Sequence, residues 1–589
     1  MERRVLIAVF LSFLVLYGYQ TFMVPPPQPP RQPASGQTAE SAANAPASAS
    51  TPAGSSTPAV EPASPAPAAA PEAAAITTEA AERRIVVNTA TVEATLSNQG
   101  GRVLSWRLKD YKDERGEPLD LIPSAVPAEQ PRPFSLQVDD ESVTRRLNSA
   151  IYRVSGDVDG RVDATRDAAT VVFEFEDASG LQARKEFRFE PRDFIVNFSA
   201  SVTNGGEALN PAVAWGAGLG DVGATSGGGS FFTGNYVQPP QAIYHRDGSV
   251  ERLTADTLLE QPAHEGTFRF VGIDDHYFLA AAVNPGHVRA VFRPVTLPVE
   301  GSTETQRQLL SQTLRFAQPP QNIRFFVGPK QFELLKSVDA ELVRAINYGM
   351  FGFLAVPLLS ALNWVQGFVG NYGWSIIVLT IMINLAIFPL RHKSVVSMRK
   401  MQMLQPQRKA IQDRYAGLKV TDPARQKMNT EVMNLYRERG VNPASGCVPM
   451  LLTLPVLFAF YSLLSQSVEL RGASFGLWLH DLSVPDPYYV TPILMGATMF
   501  WQQKITPTSA DPAQQKIMMF MPLMFSFMFL QAPSGLVVYW FVSNLWAIGQ
   551  QYFTNWWIGP APVQTVRPPA ERKLKNVGAG RTPEANGKA

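Results

Sequence analysis

The chain has 589 residues, a formal net charge of only +2, 48 prolines and a single cysteine. That length exceeds one ordinary hydrophobic core, so several domains are expected. The near-neutral balance gives no global reason to expect a nucleic-acid partner, and the solitary Cys447 excludes an intrachain disulfide.

Residues 1–24 begin with Arg3 and Arg4, followed by an uncharged run from Val5 to Val24. At about 1.5 Å per residue such a run spans roughly 30 Å, a full hydrocarbon core. A cleaved secretory signal would end in small residues, whereas this run passes through Phe22 and Met23 into prolines. A retained transmembrane anchor with a cytoplasmic N-terminus is therefore expected. Residues 25–82 are rich in Pro, Ala and Ser and bury too little surface to offset ordering, so they read as a disordered linker.

Residues 83–330 switch to strand periodicity. "TVEATLS" alternates Val92, Ala94 and Leu96 with polar residues, and "VVFEFED" sets Val171, Phe173 and Phe175 against Glu174 and Glu176. "KEFRFE" then directs Phe187 and Phe189 inward. Alternation punctuated by Gly, Pro and Asp predicts a large antiparallel β sandwich. Following a cytoplasmic-N anchor, it lies outside the cytoplasm.

Residues 331–370 read as connecting and interfacial amphipathic helices. Met350–Gly370 is apolar but broken by Pro357, which favours a helix lying at the outer interface over a further span. Residues 371–558 read as an all-α polytopic core. Apolar runs near Gly373–Leu390, Cys447–Val468, Tyr489–Ile505, Ile517–Gln531 and Leu536–Trp557 predict five transmembrane helices.

Between Arg391 and Gly440 there are twelve Lys/Arg against four Asp/Glu. Glu469–Tyr488 has only Arg471 as a cation, and the tail 559–589 is basic again through Arg567, Arg572, Lys573, Lys575 and Arg581. This alternation predicts cytoplasmic N- and C-termini and six spans in all. Within 392–440, Met398, Met401, Leu404, Ile411 and Tyr415 form one helical stripe and Met428, Val432 and Leu435 another. A basic cytoplasmic helical hairpin follows. Its cations Arg399, Lys400, Arg408, Lys409 and Arg414 suit ribosomal RNA or anionic headgroups.

The chemistry of an enzyme is not visible. Gly218, Gly220 and Gly223 match a dinucleotide fingerprint, but "ATSGGGSFF" rather than a helix follows. There is no phosphate-binding loop with its lysine, and the six histidines never pair at metal-ligand spacing. "IDDHYF" around His276 reads as a strand edge, and Cys447 as a packing residue. No cofactor or metal is expected.

Four stretches then carry a resemblance: "VNPASGCVPMLLTLPVLFAFYSLL" (441–464), "VELRGASFGLWLHDLSVPDPYYVTPILMG" (468–496), "DPAQQKIMMFMPLMFSF" (511–527) and "PSGLVVYWFVSNLWAIGQQ" (533–551). With the order of anchor, linker, β domain and core, they resemble the YidC/Oxa/Alb family of membrane-protein insertases, in its Gram-negative form with a large periplasmic domain. The resemblance implies a β supersandwich like that of sugar mutarotases. It also implies insertion and folding of inner-membrane proteins, alone or with the Sec translocon, without nucleotide hydrolysis. Implied partners are nascent inner-membrane proteins, Sec and its accessory subunits, the ribosome and the lipid bilayer, with no DNA. The implied location is the bacterial inner membrane, and the implied route is a hydrophilic groove open to cytoplasm and lipid.

Candidates for the wet surface of that groove are Ser375, Thr380, Asn384, Thr453, Gln502, Ser543, Asn544 and Gln550. Each is equally suited to bonding a neighbouring helix. Leu457, Phe458, Met518, Met521, Met524 and Phe525 are candidates for an adaptable apolar face. The family characteristically carries a groove arginine five residues before the proline that ends the first core span. Here Pro389 fixes the register and position 384 is asparagine. Arg391, two turns on, either curls back to the groove mouth or snorkels to headgroups. A small-molecule or ion transporter, the alternative reading, would place charged residues within the spans.

Overall fold

A computed structural model describes residues 75–77, 79–113, 115–123, 126–127, 130–219, 238–298, 306–415, 423–441, 448–506 and 512–558. The expected anchor (1–24), residues 25–74 of the expected linker and the basic tail (559–589) lie outside the described residues. So do Gly220, Gly223, Cys447 and the side chain of Thr453.

Period-two burial builds the β domain. In the hairpin of Ala169–Asp177 and Leu181–Phe189, Val171, Phe173, Phe175, Phe187 and Phe189 are buried. Asp177 shapes the turn, its Oδ1 accepting from the Ser179 and Leu181 N–H groups at 2.9 and 3.1 Å. Gly180 supplies the left-handed residue at φ 81°. A 14-stranded and a 5-stranded sheet face one another. They are joined where Trp106 Nε1 donates to the Val327 carbonyl at 3.0 Å and the Trp106 ring stacks on Phe189 at 6.2 Å. Helices α1 (Glu141–Ser149) and α2 (Ala255–Glu260) pack at the periphery.

Two expectations need correction. The sheets are not wholly antiparallel, since Arg84–Thr89 pairs in parallel with Arg161–Ala164. The long excursion between these strands provides the crossover that parallel pairing requires. Residues at the end of the expected linker are also ordered. Ala75–Thr77 adds a strand to Ala169–Asp177, and Glu79 is tied to Arg83 and to the Val154 N–H. A short β-capable segment with an edge to pair against does not need a core of its own.

The chain leaves the sandwich through Ile323–Pro329 into α3 (Phe332–Val338), two short 3₁₀ turns and α4 (Gly352–Val369). Gly370, in the left-handed region at φ 71°, ends α4, and the Asn371 side chain caps α5 (Tyr372–Met403) by accepting from the Trp374 N–H. The 32 residues of α5 far exceed one bilayer crossing. Pro389 does not end the helix, so the span and the first hairpin segment are one continuous rod, not two elements. Pro389 removes a single backbone donor, which packed helices tolerate.

Helices α6 (Gln405–Arg414) and α7 (Pro423–Glu438) complete the hairpin. Met401, Leu404, Tyr436 and Val441 form its small core, and Arg414 and Tyr415 converge on Glu431. The remaining helices are α8 (Val448–Gln466), α9 (Val490–Ile505), α10 (Pro512–Met528) and α11 (Ser534–Ile558). Among the described residues, Gly349–Val369 and Tyr372–Met403 are the two helices long and apolar enough to cross a membrane. Helix α4, expected at the interface, thus meets the length for a span. Its buried face, Ala355, Leu359 and Leu362, packs on α5 and α8, while Phe353, Trp364 and Phe368 are exposed.

Candidate functional site

Each core helix contributes one stripe to a shared interior. On α5, Ile383, Asn384, Ile387 and Arg391 follow the helical repeat, as do Tyr539, Trp540, Ser543, Asn544 and Ala547 on α11. With Val456 and Leu457 of α8, Met499, Gln502 and Gln503 of α9, and Met518, Met521 and Pro522 of α10, they line a cavity of about 290 Å³. Amides and hydroxyls occupy the α5, α9 and α11 walls, and thioethers and aliphatic groups occupy the α8 and α10 walls. No carboxylate is among the described lining residues.

Arg391 turns inward. Its Nη1 donates to Asn384 Oδ1 at 3.0 Å, and Asn384 Nδ2 donates to the Thr380 carbonyl at 2.8 Å. Helical side chains lean toward the N-terminus, so Arg391 naturally reaches back along its own helix. Arg391 and Asn384 thus stand side by side in the cavity lining.

The cavity gathers Asn384, Gln502, Ser543, Asn544, Leu457, Met518, Met521 and Arg391 from the expected residues. Others lie elsewhere. Ser375 and Thr380 donate to carbonyls one turn back, of Asn371 and Ile376, and so satisfy their own helix. Gln550 is buried between α11 and α5, facing the Phe388 carbonyl at 3.5 Å. Asn544 has a second role, lying 3.4 Å from both the Met495 carbonyl and Thr498 Oγ1 of α9. Phe458 stacks on Phe351, Phe525 packs on Phe529 and Trp540, and Met524 is exposed. Of the hairpin cations, Lys400, Lys409 and Arg414 are exposed, whereas Arg399 is half-buried against Asn555 of α11. Arg408 is also half-buried.

Sequence reasoning missed Gln503, Met499, Tyr539 and Trp540. The stripe of Tyr539, Ser543 and Ala547 at helical spacing was the available signal. It also missed the joint between the β domain and the core. His276 Nε2 donates to the Ser465 carbonyl of α8 at 2.8 Å, its Nδ1 facing the Gln238 N–H, which fixes the tautomer. The Arg471 guanidinium lies over the rings of Tyr277 and Phe278 at 5.4 and 5.2 Å. The Phe332 N–H donates to Glu469 at 3.2 Å. "IDDHYF" is a docking corner more than a free strand edge.

The segment between α8 and α9 is folded around one carboxylate. Asp486 is its hub: Oδ1 accepts from the Tyr488 N–H and Trp478 Nε1, and Oδ2 from the Thr491 N–H and Oγ1. Ser534 and Gly535 at the start of α11 donate to the Val484 and Leu482 carbonyls, which seats the segment on the core.

A helical core with a polar cavity, joined to a large β sandwich, is thus in place, and among the described residues two of its helices are long and apolar enough to cross a membrane. Residues 84–361 match the family model described as the YidC periplasmic domain, and residues 364–559 that of the 60Kd inner membrane protein. The membrane protein insertase YidC of Citrifermentans bemidjiense is 38% identical over 572 residues, covering 94% of this chain and 99% of that protein. That of Maridesulfovibrio salexigens is 34% identical, covering 94% and 98%. The chain belongs to the YidC family of membrane protein insertases, inner-membrane proteins with a periplasmic domain. A crystal structure described as an active YidC insertase with its first transmembrane domain resolved is 18% identical over 82% of this chain and 94% of that one, at a TM-score of 0.34. A galactose mutarotase related enzyme from Lactobacillus acidophilus overlaps 42% of this chain and 97% of its own at 9% identity and a TM-score of 0.25. Likeness at that level assigns neither fold nor activity to the β domain.

Proposed function

We propose that the chain inserts membrane proteins into the bacterial inner membrane, and helps them fold, using its interior cavity as a hydrophilic groove and no nucleotide hydrolysis. The observation that carries this reading is the cavity itself. It holds a cation, Arg391, beside amides and hydroxyls on one side and Leu457, Met518 and Met521 on the other. Carrying one charged residue through hydrocarbon costs about 2.5–3.5 kcal/mol on insertion scales. A wet recess reaching partway across lowers that cost for a client's polar tail, while its apolar segment leaves along the greasy wall into lipid.

The charge pattern supports an anchor at 1–24, a linker ahead of the periplasmic domain, an interfacial α4, five core spans within 371–558 and cytoplasmic termini. Exposed Lys400, Lys409 and Arg414 on the hairpin, with the basic tail, suit a ribosome or anionic headgroups. Cooperation with Sec belongs to the same reading. The deciding experiment reconstitutes the purified full chain in liposomes and offers a short single-span client. Insertion well above that into protein-free liposomes supports the function, and insertion no greater than lipid alone overturns it.

A further inference from the structure

We propose that Asn384 is a positioning residue: a neutral acceptor that holds the Arg391 cation at one depth in the groove without neutralising it, and so sets where a client's acidic side chain is best tolerated. This rests on the insertase reading above and deepens it.

The orientation of the Asn384 amide follows from chemistry on both sides. The Thr380 carbonyl can only accept, so it takes Nδ2 at 2.8 Å, and the Arg391 guanidinium can only donate, so it faces Oδ1 at 3.0 Å. Asn384 is 3% exposed, so its carbonyl oxygen has little water to turn to instead. Arg391 starts two turns away, about 10 Å along the axis, and would reach the headgroups by extending the other way. Asn384 is what the inward rotamer gains in exchange. An aspartate there would still accept from Arg391, but it would cancel the charge and lose the bond to the Thr380 carbonyl, and an aliphatic residue would release the arginine. With no carboxylate among the described residues lining the cavity, the held cation keeps its charge for an incoming anion. The favoured clients therefore carry a carboxylate in the transferred tail, at a fixed separation from their apolar segment.

The test uses the full chain in liposomes with a series of single-span clients that differ only in the position of one Asp in the transferred tail. For wild type, insertion should peak at one Asp position, on the order of tenfold above the flanking positions. Asn384→Asp should flatten the profile while the protein still accumulates and melts like wild type, and Asn384→Gln should restore a peak. Asn384→Leu, which takes away the acceptor and frees Arg391 to extend toward the headgroups, should shift the peak or abolish it. An Asp profile unchanged in Asn384→Asp, or a peak unmoved in Asn384→Leu, overturns the positioning role. Failure of wild type to insert any client overturns the insertase reading instead, so the two outcomes are distinct.

Discussion

Replacing Asp486 by alanine should loosen the segment between α8 and α9 from the helical core. The carboxylate is buried and accepts four hydrogen bonds, from the Tyr488 N–H at 2.9 Å, Trp478 Nε1 at 3.0 Å, the Thr491 N–H at 2.7 Å and Thr491 Oγ1 at 2.9 Å. A hydrogen bond to a charged group contributes about 1.5–3 kcal/mol, and the four are coupled, so a net loss of about 3–5 kcal/mol is expected and not their sum. Asp486→Asn keeps one carbonyl oxygen but sets an amide N–H₂ against Thr491, and should cost about 1–2 kcal/mol. Burial alone would raise the Asp486 carboxyl, but its hydrogen bonds to Thr491, Tyr488 and Trp478 hold it below its ordinary value. A carboxyl lowered in the folded state contributes stability above its unfolded pKa of about 3.9 and loses it as pH falls through the folded pKa. Hydrogen exchange on residues 472–490 of the full chain should show protection that is steady at neutral pH and falls only under acid. In Asp486→Ala it should be low throughout. Protection within about 0.5 kcal/mol of wild type in Asp486→Ala would refute the hub.

Three further outcomes follow. Lys185 is fully buried, burial lowers its ammonium well below the ordinary value, and it still donates to the Gly100, Gly101 and Phe134 carbonyls. Lys185→Met strands three carbonyls and should cost about 2–4 kcal/mol in thermal unfolding of the β domain; an unchanged melt contradicts this. A Cβ on Gly373 would sit 2.1 Å from the Phe475 ring, so Gly373→Ala should displace that ring and cost about 1–3 kcal/mol, read by unfolding in detergent. His276→Ala removes the bond to Ser465 and should speed proteolysis between β domain and core while the β domain melts as before.

What was legible in the sequence was whatever carries a period. Alternation exposed the inward faces of Val171, Phe173, Phe187 and Phe189, and apolar length with charge asymmetry exposed the helical core. Period does not say what an inward charge is for. Lys185 shares the inward parity of Phe187, yet its carbonyl partners come from residues some 50 to 85 positions away. Nor does it tell a polar residue that satisfies its own helix from one that faces a cavity. Ser375, Thr380 and Asn384 look alike in sequence, and Asn384 differs because Arg391 comes back to it. His276 was opaque for a similar reason, its acceptor lying 189 residues on. Pro389 misled about the end of α5 because a helix braced by neighbours forgives one missing donor.

The central claim is that clients pass through the cavity bounded by Asn384, Gln502, Ser543 and Met521. The most direct measurement places a photo-crosslinking side chain singly at Gln502, Ser543 or Met521, and at Trp364 and Phe520 on exposed faces, in the full chain engaged with a stalled single-span client. Strong client adducts are expected from the three cavity positions, the polar tail at Gln502 and Ser543 and the apolar segment at Met521, with weak adducts from Trp364 and Phe520. Adducts as strong from Trp364 and Phe520 as from the cavity, or none from Gln502 and Ser543, would contradict it.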